Sequence, residues 1–201
     1  MLNKTITHLD LAHNKIGNSA CSKIALYLYQ SDILTHLYLG DNLIHEKGCR
    51  CIGDALKVNK SLKVLDFHLN RIDDKGGMKF CQALDEANSN RAIETLIFRG
   101  NSLDFKFTMA VSKLLNNPEF NIKHLDISCN MIQAKDALNL KKSLESNSTL
   151  LYLDIRNNKI DDSKFHSYHA YSPTGRPDKR ACHQELLCIQ EHPICEGERA
   201  P

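Results

Sequence analysis

One spacing recurs six times along the first ~160 residues, and internal repetition limits a fold more tightly than any other sequence property. An aliphatic or aromatic residue is followed three positions on by a second and two further by a third. An Asn comes three later, and another aliphatic residue two beyond that. The copies are Ile6, Leu9, Leu11, Asn14, Ile16; Leu34, Leu37, Leu39, Asn42, Ile44; and Leu62, Leu65, Phe67, Asn70, Ile72. They continue as Ile93, Leu96, Phe98, Asn101, Leu103; Ile122, Leu125, Ile127, Asn130, Ile132; and Leu150, Leu153, Ile155, Asn158, Ile160. The steps between Asn residues are 28, 28, 31, 29 and 28.

Each column has a physical reason. The pair of apolar residues separated by one position predicts a short parallel strand with alternate side chains pointing inward. The Asn follows as the chain leaves the strand. Its amide both donates and accepts, so it can satisfy backbone groups that would otherwise be buried unpaired. Asn14, Asn42, Asn70, Asn101, Asn130 and Asn158 are therefore expected to form a structural ladder.

The second half of each repeat reads as a helix. Ten residues after the Asn stand Ile24, Ile52, Phe80, Val111 and Leu140; fourteen after it stand Leu28, Leu56, Leu84, Leu115 and Leu144. That spacing is one turn of an amphipathic helix facing the strand layer. Small residues beside it, Cys21, Cys49 and Gly77, let helix and sheet approach closely.

A strand plus a full helix in about 28 residues is the long form of the leucine-rich repeat. The stretch to about residue 160 resembles the ribonuclease-inhibitor-like leucine-rich-repeat proteins. The fold class implied is α/β: a right-handed horseshoe solenoid of six repeats, parallel strands concave and helices convex. Residues 1–165 are expected to form this domain, and 166–201 an irregular or disordered tail broken by Pro173, Gly175 and Pro177. No polar capping unit is evident at either end, so exposed apolar edges are expected, as in a piece of a longer horseshoe. The third junction is longer, with Asn88 to Arg91 inserted. Phe105 and Phe107 stand where the other repeats carry smaller residues; a locally repacked helix is the simpler reading, a convex bump for a partner the alternative.

Alternation places every second strand residue on the concave face. One column there is His8, His36, Val64, Thr95, His124, Tyr152; the next is Asp10, Tyr38, Asp66, Ile97, Asp126, Asp154; the third is Ala12, Gly40, His68, Arg99, Ser128, Arg156. The expected partner-binding residues are His8, Asp10, His36, Tyr38, Asp66, His68, Ile97, Arg99, His124, Asp126, Tyr152, Asp154 and Arg156. Six strands span about 25 Å, enough for an interface of about 800 Å² per partner. His8, Asp10 and His36 could cluster around a metal, but Tyr38 and Ile97 interrupt the acidic column, and protein binding is the simpler reading. Neither a metal nor a cofactor is expected.

Composition narrows the classes further. The 201 residues suffice for one domain with a sizeable core. A formal charge of +2 favours neither nucleic acid nor an anionic membrane. The first ten residues lack a long apolar run, so no signal peptide or membrane span is expected. Eight cysteines could suggest disulfides, yet Cys21, Cys49 and Cys81 fall in small-residue helix columns that suit buried free thiols in a reducing, intracellular setting. Cys182, His183, Cys188, His192 and Cys195 in the tail lack the close Cys pairs of a tetrahedral zinc site. No nucleophile elbow or phosphate loop is found, and Gly76-Gly77 reads as a packing feature at a helix start, so no enzyme is expected.

Two segments carry a narrower resemblance: His68-Leu69-Asn70-Arg71-Ile72-Asp73-Asp74-Lys75-Gly76-Gly77 and Leu125-Asp126-Ile127-Ser128-Cys129-Asn130. Their wording resembles the T-complex-associated testis-expressed family, the fifth subunit of the dynein regulatory complex. That resemblance implies a protein–protein scaffold in the ciliary or flagellar axoneme, part of the cytoskeleton, with other dynein regulatory complex subunits as partners. Two alternatives stay open. One is a regulator of a small GTPase similar to Ran GTPase-activating proteins, in which Arg99 or Arg156 would be the working group. The other is an innate-immune leucine-rich-repeat module or an inhibitor of a secreted enzyme.

Overall fold

The computed structural model describes residues 3–86 and 92–161. The expected domain boundary at 165, the tail with its Cys and His residues, and the insertion at 88–91 lie outside these residues.

Six three-residue strands alternate with five helices. They run β1 (His8–Asp10), α1 (Asn18–Gln30), β2 (His36–Tyr38), α2 (Glu46–Leu56), β3 (Val64–Asp66), α3 (Asp74–Glu86), β4 (Thr95–Ile97), α4 (Phe105–Leu115), β5 (His124–Asp126), α5 (Ala134–Ser146) and β6 (Tyr152–Asp154). The strands form one open sheet in sequence order, β1 to β6, every neighbouring pair parallel. Each element packs on its counterpart in the next repeat, the arrangement of an α/β leucine-rich-repeat solenoid.

Register follows the repeat without slippage. His8 pairs with His36, His36 with Val64, Val64 with Thr95, Thr95 with His124, and His124 with Tyr152. The 31-residue third step leaves this pairing intact, because the extra residues fall between helix and strand. All five helices begin four residues after the ladder Asn.

The core lies between sheet and helices. Leu37 and Leu65 from the strands, Leu39, Phe67 and Phe98 immediately after them, and Ile52, Leu56 and Phe80 from the helices are fully buried. Four phenylalanines fill its middle: the rings of Phe67, Phe80, Phe98 and Phe107 lie 5.3–5.8 Å apart in tilted or edge-to-face pairs. Phe107 has repacked into the core, whereas Phe105 is 45% exposed on the convex side. Leu9 and Leu11 of the first repeat, and Leu150 and Ile155 of the sixth, are only partly buried. Each repeat buries its neighbours, and among the described residues these two repeats have a neighbour on one side only.

The ladder Asn residues do not bond one another. Five of the six tie their own strand exit to the preceding repeat. Asn101 Nδ2 donates to Phe67 O at 2.9 Å and to its own repeat's Phe98 O at 3.0 Å, while Oδ1 accepts the Ile72 N–H at 3.0 Å. Asn42, Asn70, Asn130 and Asn158 repeat this pattern on Leu11, Leu39, Phe98 and Ile127. Asn14, in the first repeat, bonds only Leu11 O and Ala12 O of its own repeat. The residue before each Asn has positive φ: His13, Asp41, Leu69, Gly100, Cys129 and Asn157. That left-handed step turns the chain off the sheet.

Candidate functional site

The concave face is built by the sheet, so every candidate residue inherits its position from the register. His8 and His36 stack face to face, ring centroids 3.9 Å apart and planes 13° from parallel. Their Nδ1 atoms lie 2.9 and 2.8 Å from the hydroxyls of Thr7 and Thr35. The stack presents two nitrogens side by side rather than converging on one ion. Burial, then the neighbouring His8 and Lys63, lower the His36 pKa, which favours its neutral imidazole.

The acidic column has a second role. Asp10, Asp66, Asp126 and Asp154 each accept, through Oδ1, the N–H two residues on: Ala12 at 2.9 Å, His68 at 2.7 Å, Ser128 at 2.9 Å and Arg156 at 3.0 Å. These are Asx-type turns that shape the strand exit. Asp66 and Asp154, which His68 and Arg156 also cover, are only 7% and 3% exposed, so these two carboxylates support the face more than they present themselves.

The third column supplies reach. His68 Nδ1 sits 2.8 Å from Asp66 Oδ2. Its ring lies across Gly40, where an added Cβ would come within 1.9 Å of His68 Cε1. Arg156 lies over Asp154, Nε donating at 3.0 and 3.1 Å to the two carboxylate oxygens. Burial alone would push the Asp154 carboxyl up, but the Arg156 contacts outweigh it and hold it below the usual carboxylate range. Burial and Asp154 raise the Tyr152 phenol. Arg156 is thus committed to its own strand, whereas Arg99 is exposed. Between these ends, Tyr38, Ile97 and Asp126 are half-buried on the face and His124 is exposed, its ring 6.1 Å from Tyr152. All thirteen expected residues lie on one sheet face, and the eleven other than Asp66 and Asp154 retain at least partial exposure.

Two groups at the rims escaped sequence reasoning. His13 and Asp41, in the left-handed turns, pair at 2.8 Å and are largely exposed. At the opposite edge, Lys123 and Glu94 pair at 2.8 Å, one residue before their strands. The alternation Lys63, Glu94, Lys123 at the repeat spacing was the available signal. Among the described residues, no group of three or more His, Cys, Asp or Glu side chains is arranged to hold a metal ion. No helix among them is long and apolar enough to cross a membrane.

The Leucine Rich repeat family matches residues 2–25, 58–81 and 146–163. The matched segments and the parallel sheet make the fold a leucine-rich-repeat solenoid. It is similar to NACHT, LRR and PYD domains-containing protein 14 of Mus musculus, 26% identical over 162 residues, which are 80% of this chain and 16% of that protein. NACHT, LRR and PYD domains-containing protein 7 of Homo sapiens is 31% identical over 131 residues, 65% of this chain and 13% of the relative. The ribonuclease inhibitor of Sus scrofa is 31% identical over 96 residues, 47% of this chain and 21% of the inhibitor. The leucine-rich-repeat segment therefore spans less than a quarter of each of these relatives. Among solved structures, Leiomodin-1 Actin-Binding Site 2 superposes with a TM-score of 0.58 at 19% identity, covering 72% of this chain and 82% of that one. At that identity the likeness is one of fold. Leucine-rich-repeat modules of this kind are interaction modules, and the relatives are of the ribonuclease-inhibitor and NACHT type.

Proposed function

We propose that the chain is a non-catalytic protein-binding scaffold that takes its partner on the concave face. The observation carrying this reading is the in-register array of rings and charges, His8, His36, Tyr38, His124, Tyr152 and Arg99, on a sheet fixed from behind by the Asn ladder. Preorganised aromatic and Arg side chains are the residues that dominate protein interfaces. Replacing Tyr38 and Arg99 together by Ser tests it: partner capture is lost while the folded spectrum is kept. Capture unchanged by that pair would move the binding surface elsewhere.

In its finer form the scaffold is axonemal, a cytoplasmic component of the nexin–dynein regulatory complex contacting other subunits of that complex. Its support is the wording of residues 68–77 and 125–130. Localising a tagged full-length protein in ciliated cells tests it; a diffuse signal without ciliary enrichment contradicts it.

A second reading is favoured by the NACHT-type relatives: the chain is the ligand-sensing arc of a nucleotide-binding immune receptor. A full-length transcript encoding a NACHT domain upstream of the repeats would support it, and one without such a domain would remove it.

A further inference from the structure

The convex side carries a column that the concave reading leaves unused. The second residue of four successive helices is a lysine: Lys47 in α2, Lys75 in α3, Lys106 in α4 and Lys135 in α5. All four are exposed. A cation in the first turn opposes the helix dipole, so helix formation does not account for a lysine there four times over. The helix ends have their own partners: Asn18 Oδ1 accepts the N–H groups of His45 and Gly48, and Asp74 accepts those of Asp104, Lys106 and Phe107. Within the column, Lys75 faces Glu46 at 3.7 Å, although Lys79 holds that carboxylate more closely at 2.7 Å. Lys135 lies 5.7 Å from the centroid of the Phe105 ring. Lys47 and Lys106 make no ion pair among the described residues.

One lysine of the column, Lys106, borders a largely apolar groove. Between α3 and α4 lies a cleft of about 330 Å³ lined by Met78, Cys81, Phe105, Met109 and Ala110, with Lys106, Gln82 and the Lys113–Asp85 ion pair completing its wall. Phe105 and Met109 are 45% and 46% exposed, one helical turn apart. A largely apolar cleft beside a row of cations fits a ligand with the complementary pattern, an anchor side chain flanked by regularly spaced acids.

We propose that this convex ridge binds an acidic protein segment in polyproline-II conformation, with its carboxylates on Lys47, Lys75, Lys106 and Lys135 and one apolar side chain against Phe105 and Met109. Spacing selects the conformation. Packed helices lie about 8–10 Å apart, which sets the step between lysines. A polyproline-II chain returns to the same face every three residues, after about 9 Å. An acid at every third position therefore meets one lysine per repeat, and the residues between are free to fill the cleft. A nucleic-acid strand fits less well, because non-specific strand binding relies on a series of stacked aromatic platforms, and the cleft offers a single exposed ring, Phe105.

The test uses the full chain and a labelled synthetic peptide with Glu at every third position, Pro between, and one Leu between the second and third Glu. The control is an isomer of the same composition with its Glu residues contiguous. The expected result is saturable binding of the spaced peptide by fluorescence anisotropy, weakened about tenfold or more for the isomer and for a Lys47→Ala/Lys106→Ala variant. Met109→Ser should weaken it severalfold and leave the salt dependence unchanged. Both variants alter exposed residues, and circular dichroism verifies that they fold. Equal binding of the two peptides, no saturable binding, or tighter binding of a single-stranded oligonucleotide at the same lysines would each overturn the proposal.

Discussion

Gly77 of α3 and Phe107 of α4 fit into one another: a Cβ at Gly77 would lie 2.7 Å from Phe107 Cδ2 and 2.6 Å from Leu103 Cδ2. The fourth repeat carries a phenylalanine where its neighbours carry Ala20, Gly48, Gly76 or Asp136, and the third makes room for it. Gly77→Ala is expected to destabilise the fold by about 1–3 kcal/mol through overpacking. Phe107→Leu in the same chain should recover part of that loss. Denaturant unfolding of the two single variants and the double closes the cycle, and strict additivity would show that the two residues do not share space.

Asn101→Ala removes three donations, the longest to Arg99 O at 3.4 Å, and one acceptance in a buried layer between the third and fourth repeats. The groups left behind cannot reach water, so a loss of about 2–3 kcal/mol is expected. That corresponds to a melting temperature lower by about 5–10 °C for a domain of this size. Asn14→Ala, whose side chain is exposed and bonds only its own repeat, should cost far less. Thermal unfolding followed by circular dichroism compares the two.

Much of this was legible in the sequence, because both periods were present together. Alternation placed the concave columns, and the one-turn helical spacing placed Leu28, Leu56 and Leu84 inward. The cross-repeat bonds were not legible. Asn18 and Asp74 cap the next repeat's helix rather than their own, about thirty residues away, and neither differs in type from an ordinary helix-start residue. Asn59 and Asn147 bind carbonyls of the preceding helix end, Leu28 O and Leu115 O, but Pro118 in the fourth repeat hides that column. The burial of Asp66 and Asp154 also escaped notice, since alternation gives a side chain's face and not whether it folds back onto its own backbone.

Leu69 sits at φ 49°, a left-handed conformation in which a branched side chain is strained, and it is 52% exposed. The equivalent positions include Asp41, Gly100 and Asn157, which suit that conformation better. Leu69→Asn should therefore stabilise by about 0.5–1 kcal/mol, seen as a rise of a few degrees in melting temperature. A fall would mean that the Leu69 contact with Gly100 outweighs the backbone strain.

Asp136 is fully buried in the first turn of α5, accepting the Gln133 N–H at 3.3 Å, and its Oδ1 has no hydrogen-bond partner among the described residues. Burial first, with help from Asp104 and Asp74, raises its pKa, while the Gln133 bond and Lys135 oppose the rise. A raised carboxylate pKa means that the folded state holds its proton more tightly than the unfolded state. No penalty exists below the unfolded value of about 3.9; it grows as pH rises toward the folded value and is complete above it. Asp136→Asn should accordingly raise the melting temperature at neutral pH and leave it unchanged near pH ~3. An equal gain at both values would point to packing rather than charge.

On the proposed reading, the concave sheet face is where this chain meets another protein. Affinity capture with the wild-type chain and with the Tyr38→Ser/Arg99→Ser variant, each verified as folded, measures it most directly. At least one protein captured stoichiometrically by the wild type should be absent from the variant. Identical sets of captured proteins, at equal amounts, would contradict the claim.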